Sequence, residues 1–300
     1  MISACIPVYN YDACGLAKSL LAQASEIEGG LELVCIDDCS SPAFRERNSE
    51  LALLGVYVQL EENVGRARIR NMFLDHTKGD YLLFLDVDSE IPQGFLRRYA
   101  EALADGPAVV VGGRIYDRRG NNREHRLRYL YGTQVESKGA AERSAHPWQS
   151  FMTNNFVVRR DVLERVRFDE RIDRYGHEDT LFGYRLEQND IPVKHIDNPV
   201  VNGEVEENAD FLHKTVEAVK SLAAIDGMLP EADQGFALKV RLLDTYRRLR
   251  RWHLTAPVQW VYSILKRPLE SHFISGNAVS VAQLNFYKLG TYIKIKNNNQ

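Results

Sequence analysis

The chain has 300 residues, of which 44% are hydrophobic and 26% are charged. At about 100–200 residues per domain, this length allows one large or two medium domains with a sizeable core, which excludes a miniprotein, a fibrous protein and a disordered chain. Residues 236–300 hold eleven Lys or Arg and two Asp or Glu, a net charge of +9, and the formal net charge of −3 therefore leaves −12 for residues 1–235. Such an asymmetry suggests two parts with different roles.

The first hundred residues alternate apolar runs with helical patterns. Four apolar runs predict strands, at residues 2–9, 31–36, 56–60 and 80–85. Helical spacing between and after them predicts helices, at residues 14–24, 65–76 and 94–104. This rhythm is typical of the α/β class and predicts a mostly parallel, Rossmann-like sheet with helices on both faces. Ligands of such sheets bind outside the carboxyl ends of the strands.

The rhythm weakens in the second half of the chain. Strands are predicted at 108–111 and 156–159, separated by a loop-rich segment at 118–146. Beyond residue 211 the apolar residues have helical spacing. The sequence therefore predicts a first domain over 1–210, followed by a helical, basic extension over 211–300.

Several absences narrow the class of protein. The start has no basic segment before its apolar residues, and no apolar run approaches the ~20 residues that span a bilayer, which predicts a cytoplasmic location. Four cysteines lie in the first forty residues without zinc-ligand spacing, so we expect reduced thiols, with Cys5 and Cys35 buried on strands. The lack of GxGxxG and GxxxxGK[ST] motifs argues against a dinucleotide-binding fold and a P-loop NTPase.

Two acidic clusters follow predicted strands and therefore fall at the carboxyl edge of the sheet. Asp86 and Asp88 follow the fourth strand, and in a continuing extended chain their carboxylates would share one face and approach a single hard cation such as Mg²⁺ or Mn²⁺. Asp37 and Asp38 follow the second strand, where a carboxylate can accept a hydrogen bond from a nucleobase N–H. In both places the alternative is a turn or a helix cap.

Two further positions carry groups suited to chemistry. Arg70 lies on a predicted helix that begins near this edge at Gly65, and its guanidinium can bind phosphate or base oxygens bidentately. Glu178 and Asp179 follow Gly176 at the start of a helical pattern, where one ionised carboxylate can deprotonate a hydroxyl. Acids in a first helical turn also have a structural explanation, because they complement the helix dipole.

Together these segments resemble the family 2 glycosyltransferases, which are inverting enzymes of the GT-A fold. The likeness covers about residues 1–200, and Phe286–Gly290 in the tail is similar to bacterial surface-polysaccharide transferases of this family. It rests on segments in the family's order and spacing: Ile6-Pro-Val-Tyr-Asn10, Cys35-Ile-Asp-Asp-Cys-Ser-Ser41, Asn63-Val-Gly65 with Arg70-Asn71, Leu85-Asp-Val-Asp88 and Gly176-His-Glu-Asp179.

The resemblance implies a role for each matching residue. Asp88 would bind the metal ion and the diphosphate, and Asp86 would contact the sugar or the ribose. Asp179 would be the general base on the acceptor hydroxyl, with Glu178 supporting it or binding the acceptor. The nucleotide would be bound by Pro7, Tyr9, Asp37, Asp38 and Arg70.

The resemblance also implies an acceptor side and includes one departure. Asn154 and Asn155 precede a strand that lies near the acceptor in similar enzymes. Such enzymes often supply a late histidine as a metal ligand, whereas this chain has Asn202 at the expected position, and His195 comes too early. The implied Mn²⁺ or Mg²⁺ would then be held by Asp88, the diphosphate and water.

The sequence thus predicts a metal-dependent, inverting hexosyl- or N-acetylhexosaminyltransferase that uses a nucleotide diphosphate sugar of the UDP class. The acceptor would be a saccharide or a lipid-linked saccharide, in polysaccharide or glycoconjugate synthesis. Two alternatives stay open. One is a nucleotidyltransferase, and the other is a non-catalytic nucleotide- or carbohydrate-binding module.

The basic tail over 236–300 has two interpretations. The first is a helical cap with a solvated basic side. The second is contact with the anionic inner face of a membrane, because Lys, Arg and interfacial aromatic residues favour such surfaces. The tail has no recognisable nucleic-acid-binding motif, so no nucleic acid partner is expected. The aromatic residues considered for the membrane contact are Trp252, Trp260, Tyr262, Phe273, Phe286 and Tyr292.

Overall fold

The chain forms two compact units. The computed structural model describes residues 1–230 and 233–298, so the last two residues of the predicted tail lie outside the described part. The first unit comprises residues 1–115, 137–173 and 178–203, and the second comprises residues 116–136, 174–177 and the described part of 204–300. The predicted functional boundary after residue 210 stays a prediction.

The large sheet belongs to the first unit. The described residues contain ten strands: β1 Ile2–Val8, β2 Leu31–Asp37, β3 Val56–Gln59, β4 Tyr81–Leu85, β5 Ser89–Glu90, β6 Val109–Val111, β7 Arg114–Tyr116, β8 Asn155–Arg159, β9 Val193–His195 and β10 Val200–Asn202. Seven of these form a sheet of order β3-β2-β1-β4-β8-β6-β9, and the other three form a small sheet of order β5-β10-β7. Strand β8 is antiparallel to both of its neighbours, whereas the other pairs of the large sheet are parallel. The predicted mostly parallel sheet is confirmed.

Alternate residues of the central strands build two cores, one on each face of the large sheet. Ala4, Leu33 and Leu83 belong to one buried cluster, and the neighbouring residues Cys5 and Val34 belong to the other. This alternation is the period-two pattern of extended chain, and burial on both faces explains why these runs are apolar throughout. Cys5 and Cys35 are buried free thiols on β1 and β2, as predicted.

Fourteen α-helices lie within the described residues. They are α1 Cys14–Gln23, α2 Pro42–Arg47, α3 Leu51–Leu54, α4 Gly65–His76, α5 Phe95–Leu103, α6 Arg126–Tyr131, α7 Ala140–Ser144, α8 Arg160–Arg165, α9 Glu178–Gln188, α10 Asn208–Met228, α11 Gln234–Lys239, α12 Arg241–Arg251, α13 Thr255–Ser275 and α14 Val281–Asn298. None of the helices in this part of the chain combines the length and the apolar character needed to cross a membrane.

The prediction of a loop-rich segment over 118–146 is wrong for the middle of that segment. Helix α6 and the π-helical turn Gly132–Glu136 occupy it, and α7 follows. The reason is the apolar spacing of Leu127, Leu130 and Tyr131, which places all three on one helical face against the buried cluster that contains Phe211. The many Arg and Asn residues of this segment conceal that spacing in the sequence.

The second unit is helical, which confirms the predicted helical C-terminal region. Its core includes Leu127, Phe211 and Leu284 together with several tail aromatics. Tyr262, Phe273 and Tyr292 are each at most 1% exposed, so they belong to this packing and are unavailable to a membrane. Among the six aromatics considered for that contact, Trp252 and Trp260 are exposed over 66% and 68% of their surface.

Candidate active site

Both acidic clusters lie at the carboxyl edge of the large sheet. Val8 at the end of β1 is paired with Asp37 at the end of β2, and the backbone N–H of Asp38 donates to the carbonyl of Val8 at 2.8 Å. Strand β4 is parallel to β1 and ends at Leu85, directly before Asp86. The structure therefore gathers the predicted acids at one edge because the apolar runs before them are parallel strands.

Asp37 and Asp38 hold the loops at this edge. Asp37 is fully buried, accepting from the backbone N–H of Ser40 at 2.6 Å and from the Tyr57 hydroxyl at 2.9 Å. Asp38 accepts from the backbone N–H groups of Val64 at 2.6 Å and Gly65 at 3.1 Å, at the start of α4. Burial raises the pKa of Asp38, and these two backbone bonds oppose the rise. Each carboxylate oxygen has a second lone pair, so this capping role leaves room for a ligand bond.

Tyr9 extends from the end of β1 beside these acids. Its side chain is 54% exposed, whereas Pro7 is half-buried within the strand. The next residue, Asn10, has a φ of 48° and accepts through Oδ1 from the backbone N–H of Ser41 at 2.8 Å. This bond ties the β1 loop to the loop after Asp38, so the exposed ring of Tyr9 lies at the edge that carries the acids.

Arg70 on α4 links two of the predicted acidic residues. Its side chain is 3% exposed, and its two terminal nitrogens lie 3.4 Å from Asp86 Oδ1 and 3.4 Å from Glu178 Oε1. The guanidinium also lies over the ring of Phe168, 5.7 Å from the centroid. Its Nε is buried without a hydrogen-bond partner in the part of the chain that the structure describes. Arg70 is therefore a buried bridge between Asp86, after β4, and Glu178, at the start of α9.

Asp179 is the second residue of α9, beside the buried Glu178. Its Oδ1 accepts from the backbone N–H of Thr180 at 2.6 Å and from the Thr180 hydroxyl at 3.1 Å. Burial, with the charge of Glu178 as the second cause, raises the pKa of Asp179 to about 6, against the Thr180 bonds and Arg70, which lower it. A carboxylate with such a pKa can accept a proton near neutral pH.

The expectation that the chain continues in an extended conformation from Asp86 to Asp88 is wrong. The carbonyl of Asp86 accepts from the backbone N–H of Ser89 at 3.1 Å, which closes a turn over these residues. The turn forms because Asp86 and Ser89 are held by different strands. The backbone N–H of Asp86 donates to the carbonyl of Asn154 at 3.1 Å, while Ser89 pairs with Asn202 of β10.

The oxygen donors present partly fit a divalent cation. Asp86 and Asp88 supply carboxylates, which suit Mg²⁺ or Mn²⁺, but no group of three or more His, Cys, Asp or Glu positioned for a metal occurs among the described residues. Asn202 lies near Asp88, since the N–H of the next residue, Gly203, donates to the Asp88 carbonyl at 2.8 Å. However, the amide oxygen of Asn202 accepts a hydrogen bond from the guanidinium of Arg114. The two carboxylates are therefore sufficient for a cation whose coordination is completed by diphosphate and water, without a third protein ligand.

His195 forms hydrogen bonds away from the acidic clusters. Its Nδ1 lies 2.8 Å from the Arg143 guanidinium, and its Nε2 lies 2.9 Å from the carbonyl of Pro147. Burial lowers the pKa of His195, so the ring is neutral, with Nδ1 accepting and Nε2 donating. Both ring nitrogens are thus engaged inside the first unit.

Asn154 and Asn155 have different environments. The Asn155 amide is fully bonded, accepting from the Tyr99 hydroxyl at 2.6 Å and donating to the carbonyls of Gly113 at 2.9 Å and Asn198 at 2.8 Å. Asn154 is 3% exposed, yet within the described residues neither atom of its amide has a hydrogen-bond partner. Buried polar groups are normally bonded, so Asn154 has the character of a residue that meets water or a ligand.

Sequence reasoning assigned no role to three residues of this region. Phe168 and Asn71 brace the helices that carry Arg70 and Asp179, as the Asn71 amide exchanges two 3.0 Å bonds with the Phe168 backbone. Arg114 follows the buried strand β6, whose end meets the same sheet edge as β4. A cation shortly after a predicted strand was an available signal for Arg114, which only Gly112 and Gly113 separate from β6, whereas the spacing of Phe168 gave no signal.

The amino-acid sequence matches the family described as glycosyl transferase family 2 over residues 3–167, more than half of the chain. The chain belongs to this family, as its motifs predicted. A curated relative, the GalNAc(5)-diNAcBac-PP-undecaprenol beta-1,3-glucosyltransferase of Campylobacter jejuni, is 24% identical over 191 residues. That match covers 60% of this chain and 58% of the relative, so the chain spans less than two thirds of the relative's length.

Two solved structures share the fold. The mannosyltransferase PcManGT from Pyrobaculum calidifontis, in complex with GDP-Man and Mn²⁺, aligns with a TM-score of 0.59 and 16% identity, covering 99% of this chain and 86% of that one. Glucosyl-3-phosphoglycerate synthase from Mycobacterium tuberculosis, in complex with Mn²⁺, UDP and glucosyl-3-phosphoglycerate, aligns with a TM-score of 0.51 and 17% identity, covering 77% and 81%. The predicted GT-A fold is confirmed.

Proposed function

We propose that this glycosyltransferase moves a sugar from a nucleotide diphosphate sugar, of the UDP class, to an acceptor hydroxyl with inversion at the anomeric carbon. The observation that carries the proposal is the arrangement around Arg70. A carboxylate with a raised pKa, Asp179, lies next to Glu178, which the buried Arg70 connects to Asp86 at the ligand edge of the sheet. Solved structures of the same fold bind UDP or GDP-Man with Mn²⁺, which supports the donor class.

The binding site of the nucleotide-sugar donor is assigned to the ends of β1, β2 and β4. The exposed ring of Tyr9 offers a surface for the nucleobase, and Asp86 is placed for the ribose or the sugar. Asp37 and Asp38 would accept from a base N–H through lone pairs that their structural bonds leave unused. Pro7 would line the nucleoside pocket from β1.

A divalent cation, Mn²⁺ or Mg²⁺, would be held by Asp88 with the donor diphosphate and water. When bound, such an ion neutralises charge that develops on the departing diphosphate. Asp88 lies in the turn after β4, where its carbonyl accepts from the backbone N–H of Gly203 and the next residue, Ser89, pairs with Asn202 of β10. Arg70 would help to hold the nucleotide while it keeps Asp86 and Glu178 in place.

Asp179 is assigned as the general base. The acceptor oxygen forms a bond to the anomeric carbon, on the face opposite the bond to the diphosphate, which breaks. The nucleoside diphosphate leaves with that electron pair, and the hydroxyl proton moves to Asp179. Both Thr180 bonds are to Oδ1, so we assign the proton to Oδ2. Glu178 supports the base by raising its pKa.

The acceptor is assigned to a saccharide or a lipid-linked saccharide, in polysaccharide or glycoconjugate synthesis, with a hexosyl or N-acetylhexosaminyl group transferred. The name of the Campylobacter relative, which includes an undecaprenol-linked glycan, supports this class. Asn154 would bind a sugar hydroxyl, because its buried amide has no protein partner within the described residues. Asn155 would act through the backbone that it fixes.

We further assign the basic tail to an anionic membrane surface. The exposed part of α13 presents Trp260, Val261, Ile264 and Leu265, which are 37% to 68% exposed. Arg267 on the same helix is exposed as well, so apolar and cationic groups share one surface. This combination suits the interface of an anionic bilayer.

The proposed function is tested by incubating the protein with UDP- and GDP-sugars, a saccharide acceptor and Mn²⁺, and following nucleoside diphosphate release. NMR of the product then gives the anomeric configuration. We expect release from a UDP-sugar and a product of inverted configuration. Retained configuration would contradict the base assignment, and the absence of release from every donor would contradict the donor class.

A further inference from the structure

Arg114 follows a strand that ends at the ligand edge. Strand β8 is antiparallel to both β4 and β6, so β4 and β6 run in the same direction and end on the same side of the sheet. After β6, Gly112 and Gly113 turn the chain, and Arg114 begins β7 of the small sheet. The backbone therefore brings a permanent cation to the side of the sheet that carries Asp86 and Asp88.

Asn202 fixes the position of this cation. The guanidinium of Arg114 donates to the amide oxygen of Asn202, whose side chain is 4% exposed. Asn202 pairs with Ser89, the residue after Asp88, and the neighbouring Gly203 bonds the Asp88 carbonyl at 2.8 Å. Arg114, Asn202 and the Asp88 turn thus belong to one small sheet, in which two β-ladders and one side-chain bond set their spacing.

The chemistry of this pair differs from that of a metal ligand. The amide oxygen is the atom through which an asparagine binds a hard cation, and here it faces a guanidinium. A dication at the same oxygen would be repelled by that charge. A guanidinium, in contrast, presents five N–H donors in a planar fork that matches phosphate oxygens.

We propose that Arg114 binds the diphosphate of the donor, and that Asn202 is a positioning residue for Arg114 that does not ligate the metal. This inference rests on the proposed function. Arg114 then contributes part of the positive charge at the diphosphate, so nucleotide affinity depends only in part on a divalent cation. The Asn202 position, where a histidine ligand would have strengthened metal binding, serves instead to hold a protein cation.

The test is calorimetric binding of UDP, in EDTA and in Mn²⁺, to the full chain and its variants. We expect the wild type to bind UDP in EDTA, and Arg114→Gln to bind it at least about tenfold more weakly, as for the loss of a hydrogen bond to a charged group. Asn202→Ala should also weaken UDP binding, by a smaller factor than Arg114→Gln. Uridine, which has no phosphate, should bind all three proteins equally.

A matched control is available in the same unit. Arg98 donates through Nε to Asn198 Oδ1 at 2.7 Å, so Arg98→Gln also removes an Arg–Asn side-chain bond, and it should leave UDP affinity unchanged. Arg114→Lys keeps the charge but loses the planar guanidinium, so its UDP affinity should lie between those of the wild type and Arg114→Gln. This variant preserves the test if the glutamine variant does not fold.

Two results would overturn the inference while leaving the proposed function intact. One is wild-type UDP affinity in Arg114→Gln, and the other is wild-type UDP binding that occurs only with Mn²⁺. If the wild type bound neither UDP nor GDP in either condition, the donor class itself would fail, and the inference with it.

Discussion

A carboxylate that serves as a base must be ionised at the working pH and still hold a proton once it receives one. Asp179 meets both conditions through its surroundings, because burial and the adjacent Glu178 disfavour its charge while Thr180 and Arg70 limit the rise. The raised pKa of Asp179 also sets how folding stability changes with pH. A carboxyl whose pKa is raised on folding binds its proton more strongly in the native state, so its contribution to stability is lost as the pH rises from its unfolded pKa through about 6.

The first prediction is the pH dependence of transfer. Below about 6 Asp179 is protonated and cannot accept the acceptor proton, so kcat should fall on the acid side with a midpoint near that value. Thr180→Val removes the hydroxyl that stabilises the ionised form, and it should move the midpoint to higher pH. A profile that is flat from pH 5 to 8 at saturating substrate would contradict the assignment.

The second prediction concerns Asp88. Asp88→Ala should abolish turnover and remove the Mn²⁺-dependent part of UDP affinity, leaving the part seen in EDTA. Calorimetry in both conditions measures this, with Asp105→Ala as the control, since the Asp105 side chain is 89% exposed and its ion-pair partner is Lys194. Full activity of Asp88→Ala in EDTA would show that this carboxylate is outside the reaction.

Two helices carry the site, and an aromatic residue holds them in register. Phe168 stacks on Phe182 of α9, with centroids 4.1 Å apart, and the guanidinium of Arg70 on α4 lies 5.7 Å from the centroid of the same ring. Asn71 of α4 bonds the backbone of Phe168 in both directions. The ion pair between Arg70 and Glu178 is thus supported by packing, which also fixes the start of α9, where the proposed base Asp179 lies.

The third prediction is the cost of breaking that bridge. Arg70→Met leaves Glu178, 4% exposed, as a buried charge without its main partner, so the free energy of unfolding should fall by about 3–5 kcal/mol. The double variant Arg70→Met with Glu178→Gln removes both charges and should recover much of this loss in a urea titration. Equal destabilisation of the single and double variants would mean that Arg70 acts through shape alone.

The sequence predicted the strands and the acids that end them because apolar runs and polar stops are local signals. Asp37, Asp38, Asp86 and Asp88 reach one edge for that reason. The contacts that join them are long-range, as with Arg70 and Glu178, which lie 108 residues apart. Spacing within a segment cannot show such pairs.

Other misses have the same physical origin. The turn from Asp86 to Ser89 is imposed by pairing with β10, which lies over 100 residues later in the chain. Asn154 and Asn155 are both buried, and long-range hydrogen bonds distinguish them, since the Asn155 amide bonds Tyr99, Gly113 and Asn198. The sequence shows two equal asparagines, and the fold leaves one of them bonded throughout and the other without a protein partner among the described residues.

At the scale of the whole molecule, charge and exposed apolar surface are concentrated in the tail. The second unit buries most of the tail aromatics in its helical core, so Trp252 and Trp260 remain as the large exposed ones. Arg250 and Arg251 at the end of α12 are exposed, whereas Arg247 lies 3.5 Å from the largely buried Asp226. In the proposed membrane contact, binding and folding would therefore depend on different arginines of the same short run.

The fourth prediction is salt-sensitive sedimentation of the protein with anionic liposomes and none with neutral ones. Arg250→Glu with Arg251→Glu should weaken it, since each basic residue near such a surface contributes about 1 kcal/mol. Trp260→Ala should weaken it as well. Leu53→Ala is the control, because Leu53 is 87% exposed but lies on α3 of the first unit. Equal sedimentation with both liposome types would leave the tail as a helical cap.

In the proposed mechanism, Asp179 removes the acceptor proton while other residues bind the donor. One experiment tests it directly, by measuring transfer rate and UDP affinity for Asp179→Asn beside the wild type. The amide keeps the shape of the carboxylate but cannot accept a proton, so the rate should fall by roughly 10²–10⁴ while UDP affinity stays at the wild-type value. A rate within tenfold of wild type, or a parallel loss of UDP binding, would contradict the claim.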